Sequence, residues 1–284
     1  MLAIFGHATP QDVLRLLGVW PVYAIDTLKV LALVAILFIG PLYESMLADG
    51  GWRDLTPMNA VDVLWDSWIG YRNLVIAPLS EELVFRSLTV SLWLLAKSPP
   101  SRIVFVTPLV FGLAHFHHLV EFLQSRTPEG RRLPPLPIWI NGILRSLFQF
   151  TYTSLFGFFA TFVLLRTGNI WAAVLAHSFC NWMGVPRLTG KVGQYTNYPS
   201  NVTPDVAQGK RNDDEDDTHV RVGNSLMENQ DDDEKQTARS TGPQNLGMGW
   251  TVAYYGLLVV GSFAFYELLW PLTESPNALA LFER

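Results

Sequence analysis

Apolar residues along this chain fall in long blocks, at 22–43, 103–123, 138–165, 170–184 and 250–270, separated by short polar or proline-rich links. About 20 apolar residues cross a bilayer core as a helix. Continuous apolar runs without period-two alternation favour helices, which satisfy their own backbone hydrogen bonds in lipid. Block 22–43 is a strong spanning candidate, with Asp26 and Lys29 at i,i+3 near its start, placed to pair or to snorkel. Residues 10–18 suit a short amphipathic helix. The stretch 55–72 mixes Trp65, Asp66, Trp68, Tyr71 and Arg72, a composition suited to the membrane surface. Pro78 and Ser80 signal a helix start, with the helix running from Glu81 to about Ala96 and ended by "KSPPSR". "RTPEGRRLPPLP" reads as a loop and "RTGN" as a tight turn. The pattern predicts an all-α, polytopic integral membrane helical bundle with about six membrane-embedded helices, some shorter than a full span.

The character changes between Pro186 and Gly249. Asp213, Asp214, Glu215, Asp216 and Asp217 form one acidic run, and Asp231, Asp232, Asp233 and Glu234 a second. Such a segment lacks the apolar residues to build a core, so 195–244 is expected to be disordered. The predicted organisation is a membrane catalytic helical domain over 1–186, a disordered acidic insertion over 187–249, and a last transmembrane helix with its tail over 250–284. Asn201 begins a formal glycosylation sequon, discounted because Pro204 follows it.

Composition sharpens this picture. Of 284 residues 49% are hydrophobic and only 16% charged, against about 25% charged in soluble domains. No basic patch interleaved with aromatics points to nucleic acid. Cys180 is the single cysteine, which leaves no intrachain disulfide framework and no cysteine zinc cluster. The first residues lack the basic and apolar regions of a cleaved signal peptide. Arg and Lys counts on the links do not settle orientation: Lys97 and Arg102 lie on one side, Arg126, Arg131 and Arg132 on the other.

Ionisable groups inside apolar spans are costly and mark function. Three clusters stand out. In "EELVFR", Glu82 and Arg86 are i,i+4 with the acid first, the better orientation for a helical ion pair, while Glu81 points about 100° away. One carboxylate is then neutralised and its neighbour left free. The plainer reading is that both acids favour a helix's first turn. In "FGLAHFHH", His115 and His118 share a face, and Glu121 follows His118 at i,i+3. In "HSFCN", His177 and Asn181 emerge on one face; the plainer reading is interhelical hydrogen bonding. A carboxylate and a histidine that activate water, with two donors for an oxyanion, make a hydrolase. Two glutamates and two histidines also suit zinc or di-iron, although no H-E-x-x-H is present.

The three clusters, in order on successive apolar segments, resemble the CAAX prenyl proteases of the Ras-converting enzyme type, within the wider CAAX-protease and bacteriocin-processing family. The matching motifs are Glu81–Arg86 (E-E-x-x-x-R), Phe111–His115 (F-x-x-x-H) and His177–Asn181 (H-x-x-x-N). The resemblance implies an endopeptidase that removes the last three residues of prenylated C-a-a-X proteins such as small GTPases, multi-pass in the endoplasmic reticulum membrane, its site facing the cytosol. It implies Glu81 as the water-activating base, His115 as its partner on the same water, His177 and Asn181 as oxyanion donors, and Glu82 and Arg86 as supports. It implies glutamate-dependent chemistry with no cofactor and no metal. A metal-dependent membrane hydrolase is the alternative enzyme, and a transporter or scaffold the alternative class. Family members of the eukaryotic branch carry further spans before the segment matching 22–43, so an N-terminally shortened form is expected. The acidic insertion is unusually long for the family.

Overall fold

The computed structural model describes residues 9–54, 68–128, 133–193 and 246–282. The expected insertion core at 195–244, Asn201, and residues 55–67 of the interfacial stretch 55–72 lie outside the described residues.

Among the described residues every regular element is a helix. Helix α1 (Pro10–Leu16) opens on a capping box in which Thr9 and Asp12 satisfy each other's backbone N–H. Helix α2 (Ala24–Leu37) and α3 (Ile39–Tyr43), which continues as a π-helical turn over Glu44–Ala48, meet at a 77° bend. The block expected as one straight span is therefore broken at Phe38. Helix α4 is continuous over 68–95, with π-helical turns at Arg72–Ile76 and Leu83–Leu88. Ile76 and Ala77 both hold right-handed helical backbone, so Pro78 does not start the helix. Its ring is tolerated because the wide turn before it frees the preceding carbonyls. Glu81 consequently lies well inside a helix, and the first-turn explanation for the two acids loses its premise.

The apolar block expected at 103–123 is two helices, α5 (Pro100–Ala114) and α6 (His117–Ser125), with His115 closing the turn between them. Helices α7 (Leu136–Thr167), α8 (Ile170–Met183) and α9 (Met248–Leu272) complete the set. Three helical stretches among the described residues are long and apolar enough to cross a membrane: Pro100–Ser125, Leu136–Thr167 and Met248–Leu272. The bent pair α2–α3 makes a fourth. The protein is a helical membrane protein, with three to four such spans among the described residues against the six or so membrane-embedded helices expected. Helix α8, at 14 residues, is about 21 Å long and too short to cross.

Long helix α7 is the spine. It packs on α5 along one side, on α6 near its start and on α8 beyond its end. Helix α8 lies against α2 and α4, and α9 against α2 and α3. The main apolar core joins Val90, Ile103, Leu164, Leu165, Ile170 and Ala173, and a second joins Val30, Val34, Val163, Ala172 and Ala176. Gly168 ends α7 in the left-handed conformation (φ 60°), and a Cβ there would meet the Asn277 carbonyl oxygen at 2.3 Å. Asn169 then caps α8 and donates to the Tyr23 carbonyl and the Thr27 hydroxyl, locking α8 onto α2. Asp26 is paired with Lys29 at 3.8 Å, as its spacing predicts, and accepts from Ser275 at 2.6 Å. Residues 187–193 are held on the start of α9: Arg187 binds Glu44 at 2.7 Å, and its N–H donates to the Tyr254 hydroxyl.

Candidate active site

Helix α4 contributes Glu81, Glu82 and Arg86, and the π-helical turn begins directly after Glu82. Such turns occur often at functional sites, because the wide turn re-aims side chains. Glu82 and Arg86 are both fully buried, with Arg86 Nη1 3.0 Å from Glu82 Oε1. The contact is an ion pair without hydrogen-bond alignment, and all three guanidinium nitrogens lack a hydrogen-bond partner. The guanidinium instead lies over the rings of Phe111 (4.3 Å) and Phe156 (5.6 Å), which bear part of its charge. Glu82 Oε2 is also unpartnered, as are Ser154 Oγ and Thr161 Oγ1 on α7.

Helix α8 brings His177 to this pair. Its Nδ1 lies 2.8 Å from Glu82 Oε1, and its Nε2 lies 3.9 Å from Glu81 Oε2. Donation from Nδ1–H to the buried carboxylate fixes the imidazole and turns Nε2 toward Glu81. The Phe156 ring, 4.7 Å away, holds the other side of His177. Glu81 is the accessible member of the pair, its side chain 31% exposed where that of Glu82 is 0% exposed. The Glu82–Arg86 pair expected from the helix spacing is the arrangement found, while Glu81, unpaired with Arg86, faces His177 Nε2.

His115 donates from Nδ1 to the Phe111 carbonyl at 2.8 Å, which leaves Nε2 for a ligand, and it lies within electrostatic range of His177. Asn181, one turn beyond His177, donates to the Asn73 carbonyl at 3.0 Å and so ties α8 to α4. One of its two amide hydrogens is thereby engaged. The structure thus brings Glu81, Glu82, Arg86 and His177 into one cluster. His115 stands within electrostatic reach of it, and Asn181 at its edge is bonded to backbone.

Phe156, which orients His177, and Tyr152, which feels the charge of Glu81, escaped the sequence reading. Both lie on α7, and aromatics in an apolar helix carry no signal until a neighbour is known. Among the described residues, the group of three ligating side chains close enough to share a metal ion is His117, His118 and Glu121, with ligand atoms within 4.8 Å. It includes neither glutamate of α4.

A helical membrane protein that holds a glutamate–histidine–arginine centre between its spans is the class defined by this architecture. Residues 63–183 match the family described as type II CAAX prenyl endopeptidase Rce1-like. Curated relatives include the probable CAAX prenyl protease 2 of Schizosaccharomyces pombe, 40% identical over 59% of this chain and 58% of its own. The human CAAX prenyl protease 2 is 42% identical over 61% of this chain and 50% of its own. That of Saccharomyces cerevisiae is 33% identical over 57% and 50%. The chain spans about half the length of the curated relatives it matches. No solved structure matches it.

Proposed function

We propose that the protein is an intramembrane endopeptidase that removes the last three residues of prenylated C-a-a-X proteins, small GTPases among them, at the endoplasmic reticulum membrane with its site open to the cytosol. The observation that carries this reading is the unequal treatment of two adjacent glutamates. Glu82 is buried, paired to Arg86 and bonded to His177, whereas Glu81 reaches solvent beside His177 Nε2. The names and family of the relatives support the substrate class.

Glu81 takes a proton from a water held between it and His115 Nε2. The oxygen of that water attacks the scissile carbonyl, and the charge that develops on the carbonyl oxygen is met by donors on α8. The free amide hydrogen of Asn181 is one, and His177 Nε2–H is the other when the imidazole is doubly protonated. Donors placed before the reaction stabilise the transition state without reorganisation, and each is worth about 2.7–4 kcal/mol in well-studied hydrolases. Arg86 offsets the added negative charge of two glutamates on one turn. Glu81 then returns its proton to the leaving amine.

The test is incubation of a farnesylated C-a-a-X peptide with the purified full chain and mass analysis of the products. Release of the intact terminal tripeptide is expected. Stepwise loss of single residues, or no cleavage in a folded protein, refutes the reading.

A further inference from the structure

Next to the glutamate–histidine cluster an open groove runs between α6 and α7, lined by His118, Phe122, Arg145, Gln149, Tyr152 and Val185 among others. It adjoins the proposed active site at His118, whose ring lies 6.0 Å from that of His115. At its other end two guanidinium groups flank one ring: Arg145 is 5.3 Å and Arg126 5.8 Å from the centre of Phe122. Among the described residues no carboxylate pairs with either, and Arg126 Nε is buried without a partner. Glu121, on the same helix as Phe122, is taken by His118 at 3.1 Å. Two guanidinium groups on one ring at the end of a groove, paired with no carboxylate among the described residues, suit an anion.

The spacing says which anion. Arg145 and Tyr152 are seven residues apart on one helix, about 10 Å along its axis. Three residues of extended peptide span at most about 10–11 Å. Arg145 and Tyr152 both line the groove, which is thus long enough for the three residues that follow the cut, with the chain's own terminus at Arg145. Depth agrees. Arg145 lies 22 residues before the end of α7, about 33 Å, close to the thickness of the hydrocarbon core. A span running from Arg145 to the end of α7 puts the guanidinium at the membrane surface, where a peptide carboxylate remains ionised.

We propose that Arg145, with Arg126 beside it, binds the free C-terminal carboxylate of the peptide substrate and so sets the cut three residues from the chain end. This rests on the endopeptidase reading for its substrate but is tested apart from it. Binding is measured on full-length Glu81→Gln protein in detergent micelles, with farnesylated peptides that end in a free carboxylate or in a carboxamide. The free acid is expected to bind about 10- to 100-fold more tightly than the amide, the size of a charge-assisted pair. That preference is expected to collapse when Arg145→Gln is added, to persist in part with Arg145→Lys, and to be unchanged with Arg102→Gln at the far end of α5. Equal binding of acid and amide, no binding of either, or an undiminished preference in Arg145→Gln overturns the proposal; the arginines then serve lipid headgroups or structure alone. Selective binding of the acid together with no cleavage by the wild-type chain leaves the carboxylate site standing and refutes the protease reading instead.

Discussion

Replacing Arg86 by methionine removes the cation from a pair in which both side chains are fully buried. The volume is nearly kept and the aromatic contacts to Phe111 and Phe156 remain apolar. At 3.0 Å the attraction is about 5–6 kcal/mol for an effective dielectric of about 20. Much of that is offset by the desolvation of two ions, so the pair itself stabilises little. Its disruption is different, because Glu82 is left charged and buried with His177 as its remaining partner. Breaking a buried pair in this way destabilises by about 3–5 kcal/mol. Adding Glu82→Gln removes the stranded charge, so the double variant is expected to recover about 1–3 kcal/mol relative to Arg86→Met alone. The assay is equilibrium unfolding of the purified chain in mixed micelles for the wild type, both single variants and the double variant. Strictly additive losses would refute the coupling, and with it the account of why one of the two glutamates is silent.

Gly157 lies where α7 crosses α5: a Cβ there would sit 2.5 Å from Pro108 Cβ and 3.2 Å from Arg86 Nη2. Gly157→Ala is therefore expected to cost about 1–3 kcal/mol in thermal stability and to lower turnover by displacing Phe156 from His177; unchanged stability and turnover would contradict that packing. Asn169→Ala removes a helix cap and two bonds to α2, and a loss of about 1–2 kcal/mol in the same unfolding assay is expected. Asp49, beyond the π-helical turn after α3, has its pKa raised by burial and then by the Glu44 charge, against the opposing pull of Arg187. A carboxyl whose folded value is raised favours folding below its ordinary value and loses that advantage as pH rises through the folded one. Asp49→Asn is expected to be more stable than wild type at pH 7 and to lose that gain at pH 4, read from melting temperatures at the two values.

The hydrophobic blocks located the long helices to within a few residues because a bilayer-spanning helix needs a continuous apolar run. The bends were not legible. The break at Phe38 lies in an apolar run that stays apolar on both sides, and the two π-helical turns of α4 leave no mark in composition. The helix start placed at Pro78 followed from proline's usual position, which the wide turn overrides. The Glu82–Arg86 pair was legible because i,i+4 spacing acts within a single helix. The Glu82–His177 bond was not, since it joins residues 95 apart in sequence and depends on how α8 packs on α4. Asn181 showed its limits too: the spacing gave its face, and packing gave it the Asn73 carbonyl as partner.

The measurement that bears most directly on the assignment of roles is the single-turnover rate of tripeptide release for wild type, Glu81→Gln and Glu82→Gln, with unfolding free energies taken on the same preparations. Loss of a general base lowers rate by about 10²–10⁴-fold without weakening the fold. The predicted result is that loss in a Glu81→Gln protein as stable as wild type, and in Glu82→Gln a lowered stability with a smaller loss of rate. Wild-type turnover in Glu81→Gln, or a rate loss confined to Glu82→Gln, would contradict the account.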